Sequence, residues 1–73
     1  MLFIDTSRLE VVNEKKNEFK IPSNNIHVVL DLEKYIVESA FYYKHDDFGE
    51  EVKVNVDPRR ASAVLIDNGI GED

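Results

Sequence analysis

The sequence predicts a small α+β domain, with one helix packed on a mostly antiparallel sheet of about four to five short strands. Three observations carry that expectation. Apolar and charged residues alternate with period two around polar turns in two places, the mark of hairpins. A stretch between them, 24–38, carries apolar residues at spacings of three and four, the mark of an amphipathic helix. The chain has 73 residues, room for a single small domain over 1–73, and no repeat, low-complexity segment or Pro- or Gly-rich linker divides it.

Leu2-Phe3-Ile4 is a short apolar run that reads as a strand or an N-terminal anchor. Around Glu14-Lys15-Lys16-Asn17, Leu9 and Val11 alternate with polar residues on one side, and Phe19 and Ile21 do so on the other, which predicts the first hairpin. Pro22 holds Ile21 extended and ends that strand. Ser23-Asn24-Asn25 offers capping side chains. Val28, Val29, Leu32, Tyr35, Ile36 and Ala40 then form a helical stripe, with Asp31, Glu33, Lys34 and Glu38 largely off it, so a helix is expected over 24–38. A strand competes there, because Ile26, Val28, Leu30 and Leu32 also alternate and the start is β-branched. The runs Ala40–Lys44 and Glu51–Val56 flank a Gly-containing polar loop, predicting a second hairpin with Val52, Val54 and Val56 on one face. Asp57-Pro58 is a turn, and Ala61–Asp67 is expected as a third strand of that meander. Its rival is a short helix with Asp57 as N-cap, Pro58 at the first helical position and Asn68-Gly69 as the stop. Residues 70–73 are expected to fray.

A chain of this size buries only about 60% of its unfolded surface, so its core is marginal. The absence of cysteine excludes disulfides and thiolate metal sites. Self-association is the remaining common remedy, and a homodimer is the expected state. No apolar run approaches the ~20 residues that span a bilayer, and the N-terminus lacks the basic region of a signal peptide. A soluble, cytoplasmic protein is expected. Fifteen acids face nine bases, for a net charge of −6. The whole excess lies in 31–73, since residues 1–30 hold Asp5, Glu10, Glu14 and Glu18 against Arg8, Lys15, Lys16 and Lys20. Such a field repels nucleic acid and attracts basic surfaces; it also supplies solubility.

Asp67-Asn68-Gly69-Ile70-Gly71 resembles the nucleotide-binding Gly box of the GHKL-type ATPases. That resemblance would give Asp67 the adenine amino group and let Gly69 and Gly71 admit the nucleotide to the backbone. Only two residues follow it, leaving no sequence for the family's lid and second Gly box, so an exit turn is expected. Asp47-Phe48-Gly49 spells the kinase metal-binding triplet without a Gly-rich loop, strand lysine or catalytic loop, and reads as a hairpin loop. Asp46, Asp47, Glu50 and Glu51 place four carboxylates in six residues. They do not follow the alternate-acid spacing and terminal Glu of a calcium loop. His27 and His45 lack metal-site spacing, and no serine sits in a nucleophile motif. Alternation sends Phe41 and Tyr43 one way and Tyr42 the other, with at least two of Tyr35, Phe41, Tyr42 and Tyr43 expected in the core. Arg59-Arg60 is expected on a turn, or paired with acids across a dimer.

These readings converge on a non-catalytic binding protein with no cofactor and no metal. An acidic face of Asp46, Asp47, Glu50 and Glu51, supported by Asp31, Glu33, Glu38 and Asp57, is expected to dock on a basic nucleic-acid-binding protein. Spaced carboxylates would stand in for phosphates, as a DNA mimic or inhibitor, with no direct nucleic-acid binding and no membrane contact. In size and charge the chain resembles small acidic phage-encoded early proteins that inhibit host machinery such as histone-like nucleoid proteins or RNA polymerase. That resemblance implies the host cytoplasm. The alternative is a structural or assembly module that binds through a sheet edge or an apolar face.

Overall fold

The computed structural model describes residues 3–72. Among them the chain forms a five-stranded antiparallel sheet, a two-stranded ribbon and one α-helix, the expected α+β class. The sheet comprises β2 (Glu10–Asn13), β3 (Glu18–Lys20), β4 (His27–Asp31), β5 (Ile36–His45) and β6 (Glu51–Val56), adjacent in chain order as a meander. The helix α1 (Pro58–Asp67) follows, and β7 (Gly71–Glu72) pairs with β1 (Phe3–Ile4).

Both expected hairpins form. Between β2 and β3 a 3-10 turn over Glu14–Lys16 is capped by the Asn13 side chain, which accepts from the Lys16 N–H at 3.3 Å, and Asn17 leaves it in the left-handed region at φ 53°. Asn tolerates that region better than most residues. Leu9 and Phe19 are buried, as the alternation requires, but Val11 is exposed on a bulged edge strand.

The helix expected over 24–38 is not there: that stretch is β4, a turn and β5. Ser23-Asn24-Asn25 closes the β3–β4 turn instead of capping a helix. The Ile21 N–H donates to the Ile26 carbonyl at 2.8 Å, the Asn24 side chain accepts from the Ile26 N–H, and Asn25 sits at φ 59°. Val28 and Leu30, two apart, are fully buried, whereas Leu32, Tyr35 and Ile36 of the would-be helical stripe are exposed. Of the residues read as a polar helix face, Asp31 ends β4, Glu33 and Lys34 lie in the next turn, and Glu38 lies in β5; the Asp31 carboxylate accepts from the N–H groups of Glu33 and Lys34 at 3.0 and 3.1 Å. Both periods were present, and tertiary pairing on either side of β4, together with the β-branched content, decides for the strand.

The strand expected over 61–67 is likewise corrected to helix, on the rival signals. Asp57 caps α1 by accepting from the Arg59 N–H at 2.9 Å, and Pro58 takes the first helical position. The C-terminus is a Schellman turn: the Ile70 N–H donates to the Leu65 carbonyl, the Gly69 N–H to the Ile66 carbonyl, and Gly69 lies at φ +70°. The Gly-box resemblance is therefore this helix stop. Ala61 and Leu65, one turn apart, are wholly buried against Val28, Leu30 and Ala40 of the sheet. A further strand would have left that apolar face in water. The expected fraying of 70–73 is also corrected as far as Glu72: Ile70 is buried, its carbonyl accepts from the Asp5 N–H at 2.8 Å, and Gly71 and Glu72 pair with Ile4 and Phe3. Leu2 and Asp73 of the expected end segments lie outside the described residues. No helix among the described residues is long and apolar enough to cross a membrane.

Candidate functional site

The ten residues of β5 extend about 33 Å at ~3.3 Å per residue. Val37 and Ala40, in the first half of β5, lie in the core with α1, whereas residues 43–53 are exposed throughout. The second half of β5 and the start of β6 thus form an arm that reaches past the core and contributes to the 41 Å long axis of the molecule. Its tip is closed by local chemistry. The Gly49 N–H donates to the Asp46 carbonyl and the Asp46 N–H to the Glu50 carbonyl, at 3.0 and 2.9 Å. Gly49, at φ +77°, supplies the left-handed residue that such a three-residue hairpin loop needs. The Asp46 carboxylate accepts from the Phe48 and Glu50 N–H groups, both at 2.9 Å. This leaves Phe48 standing 92% exposed between acids.

The eight acids expected to share a face do not. Asp46, Asp47, Glu50 and Glu51 gather at the tip of the arm, but Asp31, the last residue of β4, and Glu33, in the turn after it, lie at the opposite end of β5. Glu38 is the extra residue of a bulge, since Val29 pairs with Ser39 and Leu30 with Val37. Asp57 follows Val56, which pairs with Ala40 midway along β5. Asp31, Asp46 and Asp57 are moreover tied to backbone N–H groups. Asp47, Glu50 and Glu51 keep their carboxylates clear of any hydrogen bond or ion pair among the described residues.

Three further features escaped the sequence reading. The first lies on the sheet face turned away from α1, where the His27 ring stacks on Phe41 at 5.0 Å, Tyr43 meets both edge-on, and the Lys53 ammonium lies 4.1 Å above the Phe41 ring. Glu18 pairs with His27 at 3.3 Å and Glu10 with Lys20 at 3.1 Å on the same face. Phe41 and Tyr43 share this face as the alternation predicts, yet of the four aromatics only Phe41 is buried. The second is a largely apolar hollow of about 280 Å³ at the far end from the tip, lined by Phe3, Ile4, Leu30, Leu32 and Tyr35 together with Thr6 and Asp31. Tyr35 there holds φ 55°, an uncommon conformation for a bulky residue. The third is a groove of about 400 Å³ beside β6, walled by Ile26, Tyr42, Val54 and Val56 with Asp57 and Arg60 at its rim. Period-two faces were legible for the first; the other two join residues distant in sequence.

Among the described residues no three His, Asp or Glu side chains converge as metal ligands would, and no polar or charged residue is buried. The exposed chemistry is that of surfaces: an acidic, aromatic tip, an open sheet edge and an apolar hollow. No family model, curated protein or solved structure matches this chain.

Proposed function

We propose that this is a non-catalytic binding protein that docks the acidic tip of the β5–β6 arm on the basic, nucleic-acid-binding surface of a partner protein. The observation that carries this reading is the tip itself: Asp47, Glu50 and Glu51 stand within three positions of a 92% exposed Phe48 on an arm clear of the core. Aromatic anchors inside a polar rim recur at protein-docking points, and here the rim is acidic. The dispersal of the other four acids narrows the idea from an extended phosphate-like array to a single contact. Competition with nucleic acid then follows from occupying the partner's basic surface rather than from copying a duplex.

The test is a pull-down with Asp47→Lys, Glu50→Lys and Glu51→Lys combined, leaving the loop-closing Asp46 in place. The native chain should capture a basic nucleic-acid-binding protein, displace its DNA at low salt, and lose it at high salt as screening shortens the Debye length to about 3 Å at 1 M. Equal capture by the triple variant removes the tip as the docking point. A second reading, an assembly module, is favoured by the apolar hollow at the other end, where Phe3, Leu32, Tyr35 and Ile36 are all about half exposed or more. A salt-resistant partner that is lost on Leu32→Asp would support that reading instead.

A further inference from the structure

We propose that β6 is a self-pairing edge, and that two copies of this chain join there as an antiparallel β6–β6 dimer centred on Val54. The two edges of the sheet differ. β2 is short, bulged between Val11 and Asn13 and followed at once by a 3-10 turn, devices that blunt an edge. β6 runs six residues from Glu51 to Val56 in unbroken register with β5. Antiparallel pairs alternate between hydrogen-bonded and non-bonded. Because Asp46 and Glu50 are hydrogen-bonded across the hairpin, the next pair, His45–Glu51, is not, and neither are Tyr43–Lys53 and Phe41–Asn55. The N–H and C=O groups of Glu51, Lys53 and Asn55 therefore point out from the sheet, with no neighbouring strand among the described residues to take them.

A second copy fits this edge for reasons of register and charge. Continuing the sheet requires residues of the same face to meet, so one residue must lie opposite its own copy, with the twofold between them. Centring on Lys53 would set the two lysines directly opposite, which is destabilising. Centring on Val54 sets Val54 against Val54, Val52 against Val56, and lets Lys53 and Asn55 exchange both backbone hydrogen bonds. Val52, 37% exposed in one copy, then comes beside Val56 and the apolar wall of the groove next to β6. The same register carries Glu50 and Glu51 of each copy to the start of α1 in the other. Arg59 and Arg60 stand exposed there, in no ion pair among the described residues, with Arg60 at the rim of the groove. The acidic tip thus meets an arginine pair, twice by symmetry. Because those arginines would take the place of a basic partner at the tip, dimerisation and partner capture compete.

Sedimentation equilibrium of the intact chain over a range of concentrations tests this. A reversible dimer is expected. Asn55→Pro removes an outward N–H that β5 does not use, and should give a monomer with an unchanged far-ultraviolet spectrum. Should that variant not fold, charge exchange decides. Glu50→Arg with Glu51→Arg, or Arg59→Glu with Arg60→Glu, should each weaken the dimer about tenfold or more, and all four together should restore it. The arginine variant leaves the tip intact, so loss of the dimer there is separable from loss of a partner. A monomer at every concentration, or a dimer that neither the proline nor the charge exchange moves, overturns the proposal.

Discussion

In the proposed docking, Phe48 is the residue at which stability and binding should part company. At 92% exposure it contributes almost nothing to the core. Phe48→Ser is therefore expected to change stability by no more than about 0.5 kcal/mol while weakening partner capture about tenfold or more, as loss of an aromatic anchor does. Denaturant titration beside the pull-down checks both halves. Tyr35 is the reverse case, a residue whose backbone conflicts with its type. Gly tolerates φ 55° without a Cβ clash, so Tyr35→Gly should be more stable than Tyr35→Ala by about 1 kcal/mol, although both remove the same ring. Equal stabilities would mean that this turn carries no strain. Asp57 is worth testing for its cap alone: Asp57→Ala should cost about 1 kcal/mol, a fall in Tm of roughly 4–8 °C in a domain this small.

At the scale of elements, the helix and the β1–β7 ribbon complete a sheet that could not stand with one apolar face in water. Leu65 is wholly buried against that face. Leu65→Ala is expected to cost about 2–5 kcal/mol, a large part of the ~4–11 kcal/mol that a chain of this length typically commands. The C-terminal ribbon gives a sharper discrimination. Ile70→Ala should be nearly silent in a frayed tail but cost about 2–4 kcal/mol where Ile70 is buried behind the Schellman turn. Chemical denaturation of that one variant reads the difference. The arm should behave oppositely, with amide protons of residues 46–50 exchanging early, since the loop bonds are exposed and local.

At the scale of the molecule, the charge excess is a matter of ends more than of faces. One end of β5 carries Asp46, Asp47, Glu50 and Glu51, the other Asp31 and Glu33, and between them the Glu10–Lys20 and Glu18–His27 contacts tie β2, β3 and β4 together. In the docking proposed above, long-range attraction to a basic partner would come from the net −6, whereas the contact itself would belong to the tip. Association should therefore slow steeply with salt, while dissociation responds chiefly to Phe48 and the three free carboxylates. Stopped-flow mixing with the captured partner separates the two. A dissociation rate indifferent to Phe48→Ser would place the contact elsewhere.

Much of this architecture is written locally. The two hairpins, their turn residues, the faces of Phe41, Tyr42 and Tyr43, and even the cap, proline and glycine stop of α1 follow from neighbours within a few positions, because turns, caps and period-two faces are short-range physics. The acidic loop was likewise legible as a cluster, being contiguous. Two segments were not decidable that way. Residues 24–38 satisfy both periods, and only strand partners on either side of His27–Asp31 select period two. Residues 61–67 carry signals for strand and helix alike, and only the need to cover the apolar face of a finished sheet selects the helix. The acids of 31–57 share a charge but not a place, because a long β5 sends its two turns to opposite ends. The open edge of β6, the groove beside it and the apolar hollow under Tyr35 exist only once distant segments are assembled. They are products of chain topology, which long-range burial decides.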